Sequence, residues 1–417
     1  MSNVAVNGAR LWASIHETAR IGVTEKGGIK RLTLTDLDRQ VRDWFVTQVR
    51  AIGCTVDIDD LGNIFATRAG RDAKLPPIAI GSHLDTQPTG GKYDGIIGVI
   101  GGLEVLRTLH DLDITTEASI VVIDWTNEEG SRFAPAMLCS GVFAGAFDRA
   151  FADSRMDRDG VTFGDALDAI NYRGAEKCGT RKLSAHVELH IEQGPILEAE
   201  GATIGVVTGV QGMRWYEITF AGAESHAGST PMPMRHDALL AAARVVAAVH
   251  SIAMAHAPHA VGTVGLIEAH PNSRNVIPGS VFCTVDMRHP DDAVLAEMET
   301  RLREAVDDAA DEARVHARLE QVWNNPAVAF DEDCIDSVQR ASDALGLVSR
   351  RMVSGAGHDS AYVARVAPTT MIFVPCAGGL SHNEAESATE ADVVAGTNVL
   401  LRAVLDIDAR LAERRAG

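Results

Sequence analysis

The residues able to do chemistry fall in four short stretches. The first is GSHLDTQPTGGKYDG, Gly81 to Gly95, in which His83, Asp85 and Asp94 occupy a glycine-rich loop directly after the apolar run LPPIAI. Histidine and carboxylates at a strand's end are the usual donors of a divalent-metal site. Asp85 is placed to accept a hydrogen bond from the second ring nitrogen of a metal-bound His83. The same composition also serves a solvated surface turn. The second stretch, WTNEEG, sets Glu128 beside Glu129 at the end of the apolar run ASIVVID. At a strand-to-loop turn both carboxylates reach one cavity, dividing the work between metal ligand and general base for water. Alone, the pair reads as well as an exposed turn.

The third stretch, SAHVELHIEQGPILEAEG, places His186, Glu188, His190 and Glu192 on one face if it is a strand. Its HxxxH spacing is not the metalloprotease helix motif, because Val187 follows the first histidine where that motif needs Glu. His186 reads as a structural histidine, and His190, next to the turn, as the ligand candidate. The fourth stretch, PCAGGLSHNEAE, brings His382 after a strand and a glycine pair. The set His83, Asp94, Glu129, His190 and His382 exceeds what a structural zinc needs. It suits two metals with Asp94 as the shared carboxylate.

Placing these residues takes an α/β domain. Short apolar runs alternate with helical spacing such as GIIGVIGGLEVLRTLH, which predicts a mixed, mostly parallel sheet flanked by helices, with ligands at strand carboxyl ends. After about Gly212 the pattern changes. RWYEITFAG and SVFCTVDMRHP alternate in the two-residue period of strands covered on one face. The acidic stretch from Asp291 keeps Leu295, Met298, Leu302 and Ala309 on one helical stripe. The reading is a discontinuous α/β domain, 1–212 and 327–417, which carries the candidate ligands, with a smaller α+β domain inserted at 213–326. Gly209 and Gly212 are the hinge candidates.

The composition of the 417 residues is that of an ordinary globular protein, and the net charge of −19 excludes nucleic acid and anionic membrane surfaces as partners. Six scattered cysteines without a CxxC pair suit reduced thiols. With no signal-peptide pattern and no apolar run of spanning length expected, the reading is a cytoplasmic protein.

The strings GSHLDTQPTGGKYDG, WTNEEGSRFAPAM, LHIEQGP, SRNVIPG, SGAGHDS and PCAGGLSHNEAE, in this order along nearly the whole chain, carry a family resemblance. The chain resembles the dinuclear-metal amidohydrolases that include N-carbamoyl-L-amino-acid hydrolase, β-ureidopropionase and allantoate amidohydrolase. The resemblance implies hydrolysis of the ureido C–N bond of an N-carbamoyl amino acid, α or β, to the amino acid, carbon dioxide and ammonia. Allantoate amidohydrolase and an aminoacylase or peptidase are the alternatives. Peptidase and aminoacylase relatives usually carry an acidic ligand where this chain has His190, which favours the carbamoyl branch. A metal-binding protein without activity would have no use for Glu128.

By the same resemblance the metal ligands are His83, Asp94 as bridge, Glu129, His190 and His382, with Glu128 the general base. His226 of AESHAGSTPM would stabilise the oxyanion, Asn275 and Arg288 would hold the substrate carboxylate, and Gln193, Gly357 and His358 would line the ureido end. Arg288 shares a strand face with Asp286 and Thr284, and its planar guanidinium suits a carboxylate; it could equally serve as a structural partner of Asp286. The resemblance further implies a homodimer with two divalent ions per subunit. The ions would be zinc, with manganese, cobalt or nickel accepted by the same donors.

Overall fold

The computed structural model describes residues 4–416. The chain forms two compact units: Gly209–Ala329 is one, and the segments ending at Thr208 and resuming at Phe330 together make the other. The sequence had placed these junctions at 213 and 326.

In the first unit the strands are β1 (Thr55–Ile58), β2 (Ile64–Arg68), β3 (Ile78–Ser82), β4 (Ile120–Asp124), β5 (Ala185–Ile191) and β6 (Ile204–Val210). The second unit adds β7 (Gly212–Ala221), β8 (Ser225–His226), β9 (Val261–His270), β10 (Val276–Ile277), β11 (Ser280–His289), β12 (His316–Asn325) and β13 (Val328–Ala329). The chain then returns with β14 (Ser349–Ser354) and β15 (Thr369–Val374). The large sheet runs β1-β2-β4-β3-β5-β15-β6, with β14 beside β6. Its centre, β4-β3-β5-β15, is parallel, and β1, β2 and β6 pair antiparallel at the flanks. Every residue of β3, β4, β5 and β15 is buried, because helices such as Ile96–Asp111 and Glu390–Ala416 pack against these strands. The chain moves from β3 to β4 on one side and then to β5 on the other. Such a reversal opens a crevice at the strands' carboxyl ends, where open α/β sheets bind ligands.

The second unit is a four-stranded antiparallel sheet, β12-β7-β11-β9, covered on one face by the helices Ala238–Ala255 and Asp292–Ala313. Tyr216, Ile218 and Phe220 of β7 face Leu295, Met298 and Leu302 in its core, and alternate residues stay open. One expectation is corrected here. The 18-residue helix Ala238–Ala255 is long and apolar enough, by length and composition, to cross a membrane. Its Ala241, Val245, Val249 and Ile252 instead pack into this core. Val328 and Ala329 pair antiparallel with Val210 and Gly209, so the two connecting segments run side by side.

Candidate metal centre

All five ligand candidates follow or end the parallel strands β3, β4, β5 and β15, and the structure brings them together. Asp94 is the centre. Its Oδ1 lies 3.1 Å from Nε2 of His190 and 3.7 Å from Nε2 of His83. Its Oδ2 lies 3.4 Å from Nε2 of His382, which is 3.5 Å from Oε2 of Glu129. Four donors around a small divalent ion at 2.0–2.2 Å stand about 3.4 Å apart, so both sets, His83–Asp94–His190 and Asp94–Glu129–His382, fit a metal ion. One carboxylate offers an oxygen to each set.

Local backbone geometry explains how neighbours in sequence share this cavity. Asn127 takes a left-handed conformation, φ 61°, turning the chain directly before Glu128 and Glu129. Gln193 and His382 are also left-handed, at 57° and 53°. Such non-glycine residues are held by their surroundings and cluster at functional sites. Gly95, φ 68°, opens the helix Ile96–Asp111, and a Cβ there would run into the imidazole of His83. The glycine-rich loop therefore reflects how closely its backbone approaches the ligands.

The ring nitrogens are oriented from behind. Nδ1 of His83 bonds the Asp85 backbone carbonyl at 2.9 Å, and Nδ1 of His190 bonds the Ile191 carbonyl at 2.9 Å. This leaves each Nε2 toward Asp94. The sequence had given the His83 bond to the Asp85 carboxylate. That carboxylate lies 3.7 Å away and accepts the Glu128 N–H instead, at 3.3 Å, because the loop turns the backbone carbonyl inward. Asp85 thus supports the Glu128 turn as well as His83.

Electrostatics separates the carboxyls. Burial works against charge on Asp94, but hydrogen bonds to His190 and His382 hold it well below the usual carboxylate range. Burial, then the charges of Asp359 and Glu129, pushes Glu128 well above its ordinary value. Glu129 is raised too, by burial and then by Asp94. Burial lowers His83 to about 4, leaving a neutral ring with a lone pair to offer. Glu128 sits 3.5 Å from Nε2 of His83, beside the ligand set. His382 is 51% exposed and marks the open side of the centre.

Gln193 belongs to the centre: its Nε2 donates to Asp94 Oδ2 at 2.8 Å. His358 is buried, its ring centroid 4.6 Å from that of His190, and Gly357 before it is exposed. His186 is structural, buried and 6.3 Å between ring centroids from Trp125. Glu192 caps the helix Ile196–Glu200, accepting the N–H groups of Ile196 and Leu197 at 2.8 Å. The sequence reading missed three supporting residues. Gln87 grips both oxygens of Glu129, at 3.0 and 2.6 Å. Glu188 accepts from Ser82 and Ser360 behind His190. Glu386, four residues past His382, accepts the N–H groups of Tyr93 and Asp94 at 3.0 and 3.1 Å. Strand alternation had put Glu188 on the face of His190 without giving it a role; no spacing rule singles out Gln87 or Glu386, and only the convergence of distant loops does.

These loops belong to a known architecture, since residues 79–406 match the model of peptidase family M20/M25/M40. The chain belongs to this family. It is 50% identical over 404 residues to the N-carbamoyl-L-amino-acid amidohydrolase of Rhizobium meliloti, covering 97% of both chains. The ureidoglycolate hydrolase of Oryza sativa subsp. japonica is 34% identical, over 94% of this chain and 83% of that one. Among solved structures, an amidase of the hydantoinase/carbamoylase family from Burkholderia multivorans is 57% identical, with a TM-score of 0.95 over 97% of this chain and 98% of that one. The fold, a mixed sheet with flanking helices and a second α+β unit, is that of the family, and the chain is a hydrolase of C–N bonds.

The second unit carries the other three predicted residues. His226 is exposed, and its Nδ1 accepts the N–H groups of Gly228 and Ser229 at 3.0 and 3.2 Å, so the proton sits on Nε2. Asn275 precedes β10, which pairs with β8 and so lies beside His226. Arg288 stands on the uncovered face of β11, with Nε 3.2 Å and Nη2 2.8 Å from Asp286. β8 and β10 adjoin the Ser280 end of β11. Arg288 is eight residues along, about 26 Å at strand rise.

Proposed function

We propose that the chain hydrolyses N-carbamoyl-L-amino acids to the amino acid, carbon dioxide and ammonia. The observation that carries this reading is Asp94, whose two oxygens face two separate donor sets in a chain 50% identical to an enzyme named for that substrate. Two divalent ions would be held by His83, Asp94, Glu129, His190 and His382. Bound there, they would supply polarisation of the ureido carbonyl and a lowered pKa of water.

Glu128 takes a proton from the attacking water and later delivers it to the leaving nitrogen. The carbamic acid so formed breaks down to carbon dioxide and an amine or ammonia. Nε2 of His226 donates to the developing oxyanion. Asn275 and Arg288 hold the carboxylate, and Gln193, Gly357 and His358 line the ureido end. The second unit acts as lid and dimerisation domain. The strand length between His226–Asn275 and Arg288 supports a homodimer in which a second copy supplies one of these groups. Ureidoglycolate hydrolase relatives at 34% identity make allantoate-type ureido acids the second reading.

The test is ammonia release from N-carbamoyl-L-amino acids, N-carbamoyl-β-alanine and allantoate, with and without chelator. Chelator-sensitive release, fastest from an N-carbamoyl-L-amino acid, is expected. Glu128→Gln should lose at least about 10²-fold in kcat with its metal retained. Full activity in that variant, or no release from any ureido compound, refutes the assignment.

A further inference from the structure

The uncovered face of the second unit's sheet holds a hollow of about 400 Å³, a size typical of small-molecule subsites. A bulge makes room for it. Pairing between β9 and β11 slips between Thr284 and Val285, so that Thr284 faces Leu266 and Val285 faces Val264, with Gly265 left over. Gly265 has no side chain, and a Cβ there would meet nothing within 4 Å. Trp215 lines another side, 43% exposed. Its ring lies 6.1 Å from that of Trp323, which is 38% exposed. Two neighbouring exposed tryptophans beside a concave site are a surface for aromatic contact.

The hollow adjoins the guanidinium already assigned to the substrate carboxylate. Asp286 lines it, lies opposite Trp215 in the β7–β11 register, and holds Arg288. In an α-amino acid the side chain branches one carbon from the carboxylate. A carboxylate on Arg288 therefore puts that side chain within reach of the cross-strand and diagonal neighbours of Arg288, about 5–8 Å away. We propose that this hollow is the subsite for the substrate's side chain, selecting N-carbamoyl-L-amino acids with aromatic side chains. The inference rests on the reading of Arg288 under the proposed function. Glu217 and Asp286 on the rim disfavour acidic side chains by like charge. N-carbamoyl-β-alanine, with no side chain, gains nothing from the hollow.

The test compares kcat/KM for N-carbamoyl-L-phenylalanine with that for N-carbamoylglycine in the wild type and in Gly265→Leu, Trp215→Ala and Trp215→Phe. Gly265→Leu fills the hollow from a position with open space. The wild-type ratio is expected to favour phenylalanine at least tenfold. It should fall at least tenfold in Gly265→Leu and Trp215→Ala, mainly through KM, and recover in Trp215→Phe. An unchanged ratio in both Gly265→Leu and Trp215→Ala, or a wild-type preference for N-carbamoylglycine, overturns the subsite. Hydrolysis of N-carbamoylglycine by the wild type separates that result from failure of the function itself. If neither compound is hydrolysed, the proposed function falls and the subsite with it.

Discussion

Glu386 offers the sharpest test of how the metal centre is held. Its carboxylate is 5% exposed, and its Oε1 accepts the N–H groups of both Tyr93 and Asp94. Ser381 Oγ, 3.4 Å from its Oε2, donates to Asp94 Oδ2 at 2.7 Å. One side chain thus ties the Asp94 loop to the loop that carries His382. Burial, then the charge of Asp94, pushes the Glu386 carboxyl up to about 7. Hydrogen bonds contribute roughly 0.5–1.5 kcal/mol each to a neutral acceptor and roughly 1.5–3 kcal/mol to a charged one, so the two amide bonds hold about 1–6 kcal/mol in the loop. Water entering the space left by Glu386→Ala restores part of this. What remains is the loss of a fixed Asp94, and removing a group behind a ligand typically costs about 10–100-fold in metal affinity. Glu386→Gln keeps an acceptor oxygen in place and should lose less. The assay is metal content per chain after dialysis at graded free zinc, alongside urea unfolding of the metal-free proteins. If Glu386→Ala retains wild-type metal content at every free concentration, Glu386 does not position Asp94 and the reasoning fails.

Burial lowers His186 to about 3, against 6.5 when unfolded. The unfolded chain therefore binds more protons between those values, and stability falls as pH drops from 6.5 toward 3. Between pH 7 and pH 5 this amounts to about 2 kcal/mol, which His186→Leu should remove from the pH dependence of urea unfolding; an unchanged slope would show that His186 is not buried as a neutral ring. Arg42 is fully buried, with Nε 2.8 Å from Asp38 and Nη1 3.5 Å from Asp124. Arg42→Met leaves the buried Asp38 and Asp124 with Arg31 as their remaining counter-charge and should cost about 3–5 kcal/mol in urea unfolding, whereas a loss under about 1 kcal/mol would mean that the pair is dispensable.

Much of this was legible in the sequence, for local reasons. His83, Asp94, Glu129, His190 and His382 follow or end apolar runs, and a buried run read as a strand necessarily places the next polar residue at the sheet's carboxyl edge. The alternation in RWYEITFAG and SVFCTVDMRHP likewise encodes a sheet covered on one side. Whatever depends on two distant segments meeting was not legible. That Asp94 turns one oxygen to His190 and the other to His382 depends on loops about 100 and 290 residues away in the chain. The Asp85 carbonyl, rather than its carboxylate, faces His83 because of a backbone turn that residue type does not encode. Glu386 and Gln87 look like ordinary loop residues until the fold sets them against Asp94 and Glu129. The hollow beside Trp215 exists because pairing slips by one residue at Gly265, and strand register is a property of the assembled sheet. Sequence determined which side chains could do the chemistry and which strand ends present them. Tertiary structure alone decided which atoms face one another, because those distances are set by packing between segments far apart in the chain.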